Sequence, residues 1–170
     1  MQKLKILILE DQPEEKAQLR QILVGHDYTV AGEASTLSEA KRLYTALKID
    51  LVIIDIFING QPDGIALAKF IKSDSAAPVP FVFITSSQDR AIFEQARLTG
   101  PFSYLLKPYN ALEVSYAIEL AVDQFYASPV TQQPGRTMEP SQEFIFIKKG
   151  KGLRKVRISE IIYVAVHERY

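Results

Sequence analysis

Residues 50–58 read D-L-V-I-I-D-I-F-I, apolar at every position except Asp50 and Asp55. A β-branched run this short suits a strand buried on both faces at the centre of a parallel sheet. A carboxylate inside such a strand is costly unless it is paired or stands at the strand's mouth. In open α/β sheets the ligand crevice lies outside the carboxyl ends of the strands. Asp55 stands near that end, so its neighbours there decide its chemistry.

Upstream, residues 3–9 (K-L-K-I-L-I-L) form a first strand that ends in Glu10-Asp11. Pro13 suits the first turn of a helix, and Glu14 and Glu15 suit the positive end of its dipole. Leu19, Ile22 and Leu23 share one face of that helix, and Gly25 can close it. Residues 28–34 are a weaker strand, and Thr36 to Glu39 has the spacing of a capping box for a helix reaching about residue 48. Downstream, residues 59–63 (N-G-Q-P-D) are a turn and residues 64–73 a helix. Residues 80–85 (P-F-V-F-I-T) make a fourth strand, and the Thr-Ser-Ser that closes it can cap a helix over residues 88–98. Residues 102–106 are the fifth strand, followed by Lys107-Pro108 and a second capping box at Asn110 to Glu113. Five strand–helix repeats predict an α/β fold: a five-stranded, parallel, doubly wound sheet flanked by five helices.

Residues 128–142 are rich in Pro, Gln, Ser, Thr and Gly and read as a linker. Residues 144–147 and 153–158 then read as strands around a Lys/Gly turn, with a third strand over residues 161–166. This is a short antiparallel β-tail, too small to bury a core alone. The predicted organisation is therefore a domain over residues 1–127, a linker over 128–142 and an incomplete β-rich piece over 143–170. We expect the tail to pair with a neighbouring chain or to stay poorly ordered, and its basic residues to be solvated strand faces. His26 and His167 have no partner pattern and read as surface residues.

The chain has no net charge, but residues 1–127 carry 12 basic and 16 acidic side chains, whereas residues 128–170 carry 8 and 4. Such asymmetry suggests two parts with different partners. There is no cysteine, which excludes disulfides and thiolate metal sites. No apolar run reaches the ~20 residues of a membrane span, and the N-terminus lacks a signal-peptide pattern. The expected location is the cytoplasm.

A parallel sheet brings Glu10, Asp11, Asp55, Thr85 and Lys107 to one edge. Three carboxylates there repel one another unless a cation sits among them. Oxygen donors without His or Cys favour a hard ion, above all Mg²⁺. A carboxylate beside such an ion and a Lys is poised as a nucleophile towards phosphorus. The cation, Lys107 and the Thr85 hydroxyl would bind the three oxygens of the resulting acyl phosphate.

These residues, each at a strand end and separated by 44, 30 and 22 positions from Asp11 through Asp55 and Thr85 to Lys107, resemble the receiver domain of two-component response regulators over about residues 3–127. That family has a flavodoxin-like fold. The resemblance implies that Asp55 is the phosphoacceptor for a partner histidine kinase. It implies that Glu10, Asp11, Asp55 and the backbone carbonyl of Phe57 hold Mg²⁺. Thr85 would be the switch hydroxyl, Tyr104 the aromatic switch, and the bond before Pro108 cis. It also implies a homodimer through the face of the fourth helix, fifth strand and fifth helix. One departure is the loop after Asp55: Gly64 follows it by nine residues, one more than is usual in the family.

The tail resembles the opening of a LytTR-type DNA-binding domain: an aromatic-apolar strand, a Lys/Gly turn, a basic strand, then S-E-I-I-Y at residues 159–163. This implies a transcription regulator that contacts DNA through a complete output domain, not through this fragment alone. A stand-alone receiver acting as a phosphorelay or protein-binding module is the alternative. An Asp-based phosphatase is disfavoured, because the general-acid position two residues after Asp55 is Phe57. The chain is therefore not expected to turn over outside substrates. An FMN site is disfavoured because Glu10 to Glu15 would repel a phosphate.

Overall fold

The structure, a computed structural model, describes residues 2–73, 78–127 and 144–161. The apolar runs form five parallel strands: β2 (Lys5–Leu9), β3 (Thr29–Ala34), β4 (Leu51–Asp55), β5 (Phe81–Thr85) and β6 (Ser103–Leu106). Their order in the sheet is β3-β2-β4-β5-β6. Helices α1 (Pro13–Gly25), α2 (Leu37–Ala46), α3 (Asp63–Ser73), α4 (Arg90–Leu98) and α5 (Ala111–Ala127) connect or follow them. Alternation along each strand splits the core in two. Ile6, Ile8 and Ile53 pack under α1 and α5, while Leu7, Leu9, Val52 and Ile54 pack under α2, α3 and α4. All five residues of β4 are buried, as its central place requires.

The organising stretch ends as a strand at Asp55. Ile56 and Ile58 remain buried but lead into a tight turn. There Ile58 and Gln61 exchange both backbone hydrogen bonds, at 2.9 and 3.0 Å, around Asn59 and Gly60 with φ of 50° and 75°. Asn-Gly is the pair that such a two-residue turn requires. The longer loop after Asp55 is this small hairpin.

Helix starts follow the expected capping boxes at α2 and α5. Thr36 Oγ1 accepts from Glu39 N–H at 3.3 Å. Asn110 Oδ1 accepts from the N–H groups of Leu112 and Glu113 at 2.9 and 3.0 Å, and Glu113 accepts from Asn110 N–H at 2.8 Å. Asn110→Ala removes the acceptor from two otherwise unpaired N–H groups. It should lower stability by about 1 kcal/mol, read from the urea midpoint. Helix α4 departs from expectation. Its cap is Asp89, which accepts from Ala91 N–H at 2.7 Å, while Ser87 Oγ accepts from Asp89 N–H at 3.2 Å. The closing turn of α1 also differs: the left-handed residue is Asp27 (φ 65°), not Gly25.

The tail departs further from expectation. Lys3 leaves the expected first strand and joins Gln2 in a separate strand, β1 (Gln2–Lys3). It pairs antiparallel with β8 (Gly152–Arg157), which in turn pairs with β7 (Phe144–Lys149). The tail therefore finds its β-partner in its own chain, and three of its basic side chains meet acids on the parallel-sheet domain. Two apolar side chains explain this, since Leu153 and Val156 of β8 become buried only against another surface. Residues 158–160 form a short 3₁₀ turn. The linker, residues 162–166 of the expected third strand, and His167 lie outside the described residues. No helix of the described residues is long and apolar enough to cross a membrane.

Candidate functional site

Strand register decides the site. Leu9 stands opposite Ile54, Asp55 opposite Ile84, and Thr85 opposite Leu106. The residues at or just beyond those ends therefore converge at one edge: Glu10 and Asp11 after β2, Asp55 at the end of β4, Thr85 at the end of β5 and Lys107 after β6. Lys107 N–H donates to Thr85 O at 2.8 Å, which holds the last loop against β5. The Lys107–Pro108 peptide bond is cis.

Lys107 is the hub. Its Nζ lies 2.6 Å from Asp55 Oδ2 and 2.8 Å from Glu10 Oε2, and it also pairs with Glu15. Glu10 and Asp55 are buried, so these are charge-assisted hydrogen bonds shielded from water. The other carboxylate oxygens are held by backbone. Glu10 Oε1 accepts from Gln12 N–H at 2.9 Å, and Asp55 Oδ1 from Phe57 N–H at 3.1 Å. Asp11, more exposed, accepts from Asn59 N–H at 3.0 Å, tying it to the turn after β4.

The sequence points to every one of these charged side chains except Glu15, which reads there as a partner of the helix dipole, and it does not point to the Gln12, Phe57 and Asn59 N–H donors. Glu15 lies in the first turn of α1, which begins at Pro13, just past Glu10 and Asp11. That nearness was the available signal. Thr85 and Tyr104 lie one and two strands away from β4. Thr85 Oγ1 accepts from Ser87 N–H at 3.2 Å. The Tyr104 ring packs edge-on against Phe83 and Phe93, with centroids 6.3 and 5.2 Å away. Its buried hydroxyl has no hydrogen-bond partner among the described residues.

Oxygens from Glu10, Asp11 and Asp55 lie within 4.8 Å of one another, close enough to share one cation. Burial, with a smaller contribution from the Asp55 charge, pushes the Glu10 carboxyl up to about 7, while Lys107 and the Gln12 N–H pull it down. Burial alone would lower the pKa of Lys107, but the hydrogen bonds it donates to Asp55, Glu10 and Glu15 outweigh that and raise it. Burial, then the charge on Asp55, raises the Tyr104 phenol. An all-oxygen donor set carrying more acid than one Lys neutralises fits a hard divalent cation.

The raised Glu10 value has a measurable consequence. A carboxyl whose folded pKa lies above its ordinary 4.5 supports the fold fully below that value and loses its contribution as pH rises through about 7. In EDTA, the urea midpoint of the native chain should therefore fall from pH 5 to pH 7.5 more steeply than that of Glu10→Gln. Equal slopes would show that Glu10 is not buried as an acid.

The family model described as "Response regulator receiver domain" matches residues 6–119. The chain is 32% identical over 154 residues to the transcriptional regulatory protein PdtaR of Mycobacterium tuberculosis, covering 90% of this chain and 74% of that protein. It is 25% identical over 171 residues to the positive alginate biosynthesis regulatory protein of Pseudomonas aeruginosa, covering 98% of this chain and 67% of that protein. Among solved structures, the receiver domain of a modulated diguanylate cyclase from Desulfovibrio desulfuricans G20 superposes with a TM-score of 0.66 at 34% identity. That match covers 72% of this chain and 96% of the other. The fold, the acid-and-lysine edge and these matches agree: the chain belongs to the response regulator receiver family.

Proposed function

We propose that Asp55 accepts a phosphoryl group from a partner histidine kinase and that this switches a LytTR-type DNA-binding output controlling transcription. One observation carries the reading: Lys107 reaches a buried Asp55 at the mouth of the central strand, inside a cluster of three carboxylates. In the transfer, an Asp55 oxygen attacks phosphorus. The new O–P bond forms as the bond to the donor (a His nitrogen or the acetate oxygen of acetyl phosphate) breaks, and the leaving group keeps the electron pair. Lys107 then leaves the carboxylate for a phosphoryl oxygen, and Thr85 turns its hydroxyl to another. Glu10, Asp11, Asp55 and the Phe57 carbonyl would hold Mg²⁺, which supplies charge neutralisation to the transferring group. Tyr104 would follow Thr85 as the aromatic switch. Phe57 offers no proton to a leaving group, so outside substrates are not turned over.

Leu98 on α4, Leu106 on β6 and Leu112, Tyr116 and Leu120 on α5 are large apolar side chains left exposed. They favour this face as the homodimer surface that phosphorylation would remodel. The division into a receiver (1–127), a linker (128–142) and the start of an output domain (143–170) fits the basic hairpin. A match to a regulatory protein that runs over 98% of this chain, tail included, supports it. Contact with DNA would belong to the complete output domain.

The test is intact mass and oligomeric state after acetyl phosphate with Mg²⁺. A gain of one phosphoryl group, lost in EDTA, supports the reading. A folded protein that gains no mass refutes it.

A further inference from the structure

The amino-terminal edge of the sheet, opposite the site of Asp55, carries a second charged cluster. Asp27 follows α1, Asp50 precedes β4, and Glu119 lies on α5. Each meets a basic side chain of the β7–β8 hairpin. Arg154 pairs with the Asp27 carboxylate and donates to its carbonyl at 3.1 Å, Lys155 Nζ lies 2.6 Å from Asp50 Oδ1, and Lys148 Nζ lies 2.8 Å from Glu119 Oε2. Asp50 is buried and accepts from Lys5 N–H with its other oxygen at 2.9 Å. Its ionic partner thus comes from about a hundred residues away. Losing Lys155 leaves a buried carboxylate short of a counter-charge.

Shape agrees with charge. Phe146 stacks on Tyr126 of α5 with centroids 4.5 Å apart. Leu153 is buried in the same cluster as Tyr28, Ala117, Ile118 and Ala121. Gly152 crosses the end of α1 so closely that a Cβ there would sit 2.3 Å from His26 O. That backbone approach admits only glycine. Backbone pairing of Gln2 with Lys155 and of Lys3 with Arg154 completes the seat.

The cluster that seats Leu153 runs along α5 through Ala117 and Val114 to Tyr109, two residues beyond Lys107. A shift of the Lys107 loop therefore has a packed route to the hairpin.

We propose that this acidic edge is a docking site for the chain's own basic hairpin, and that α5 links the joint energetically to the Asp55 site. The linkage rests on the phosphoacceptor reading, whereas the docking does not. Reciprocity then requires that undocking change the affinity of the Asp55 site by the factor by which that site changes docking.

Hydrogen exchange on the full chain tests both parts. Beryllofluoride with Mg²⁺ serves as the probe of Asp55, and peptides 2–3, 51–55 and 152–157 are followed. Gly152→Ala, and independently Lys155→Glu, should speed exchange of 152–157 at least tenfold and leave 51–55 unchanged. Saturating beryllofluoride should change exchange of 152–157 at least threefold, in either direction, and each variant should shift the apparent beryllofluoride affinity by a like factor. Native-like protection of 152–157 in both variants overturns the docking site. Unchanged protection with Asp55-dependent binding demonstrated overturns the linkage. Absence of any Asp55-dependent binding refutes the phosphoacceptor reading, and the linkage with it, while the two variants still decide docking.

Discussion

Asp55→Asn should abolish the one-phosphoryl mass gain expected of the native chain with acetyl phosphate and Mg²⁺, leaving no measurable incorporation. Asparagine keeps the shape of the side chain and can still accept from Phe57 N–H, now 3.1 Å from Asp55 Oδ1. What it loses is the anionic oxygen that, on the proposed reading, would form the bond to phosphorus, and a neutral amide does not replace it. The fold should survive. Lys107 retains Glu10 and Glu15 as partners, so no buried charge is left alone. The same change removes one of three crowded carboxylates and so relieves Glu10, whose carboxyl the Asp55 charge helps to raise. Far-ultraviolet circular dichroism and the urea midpoint check the fold, and intact mass checks the chemistry. Phosphoryl incorporation persisting in the variant would place the acceptor elsewhere and remove the central claim about Asp55.

The second large effect is structural. Gly64→Ala should cost about 3 kcal/mol of stability, at the upper end for overpacking at a close-packed position. A Cβ at Gly64 would stand 2.1 Å from the carbonyl oxygen of Asp55 and 2.7 Å from Ile56 Cα. Both are backbone atoms, so no side chain can swing aside. Either α3 lifts from the sheet or the end of β4 moves, and the second displaces Asp55 itself. The variant should therefore also bind Mg²⁺ and beryllofluoride more weakly. Gly60→Ala is the contrast. Open space surrounds that position, and the cost there is confined to its φ of +75°. A left-handed alanine costs about 1–2 kcal/mol. Urea unfolding of both variants decides the matter: a Gly64→Ala loss no greater than that of Gly60→Ala would show that the crossing of α3 over Asp55 is loose.

Gly64 also shows how a local irregularity was absorbed. Gly64 follows Asp55 by nine residues, one more than the resemblance leads one to expect. The Asn59-Gly60 turn takes up the extra length, and Gly64 still arrives against the Asp55 carbonyl, its N–H donating to Ile56 O at 3.0 Å. The signals were present in N-G-Q-P-D, but only the bonded turn shows that the spare residue leaves the site intact.

Much of this protein follows from its sequence because the deciding physics is local. Continuous apolar runs bury strands on both faces, capping boxes start α2 and α5, and strand–helix alternation commits the chain to parallel pairing. Parallel pairing in turn carries Glu10, Asp11, Asp55 and Lys107 to one edge. The sequence thus determined the fold class and the composition of the candidate site. It did not determine where long charged side chains end. Glu15 joins Lys107 because it lies in the first turn of α1, which begins two residues past the Glu10-Asp11 end of β2. Lys148, though still largely exposed, pairs with Glu119, and Arg154 and Lys155 meet Asp27 and Asp50 rather than water, because Leu153 and Val156 need a surface to bury them and β1 offers an unpaired edge. Those partners lie 29, 127 and 105 residues apart in the chain. Local periodicity carries no information across such gaps, so the tertiary structure alone decided them.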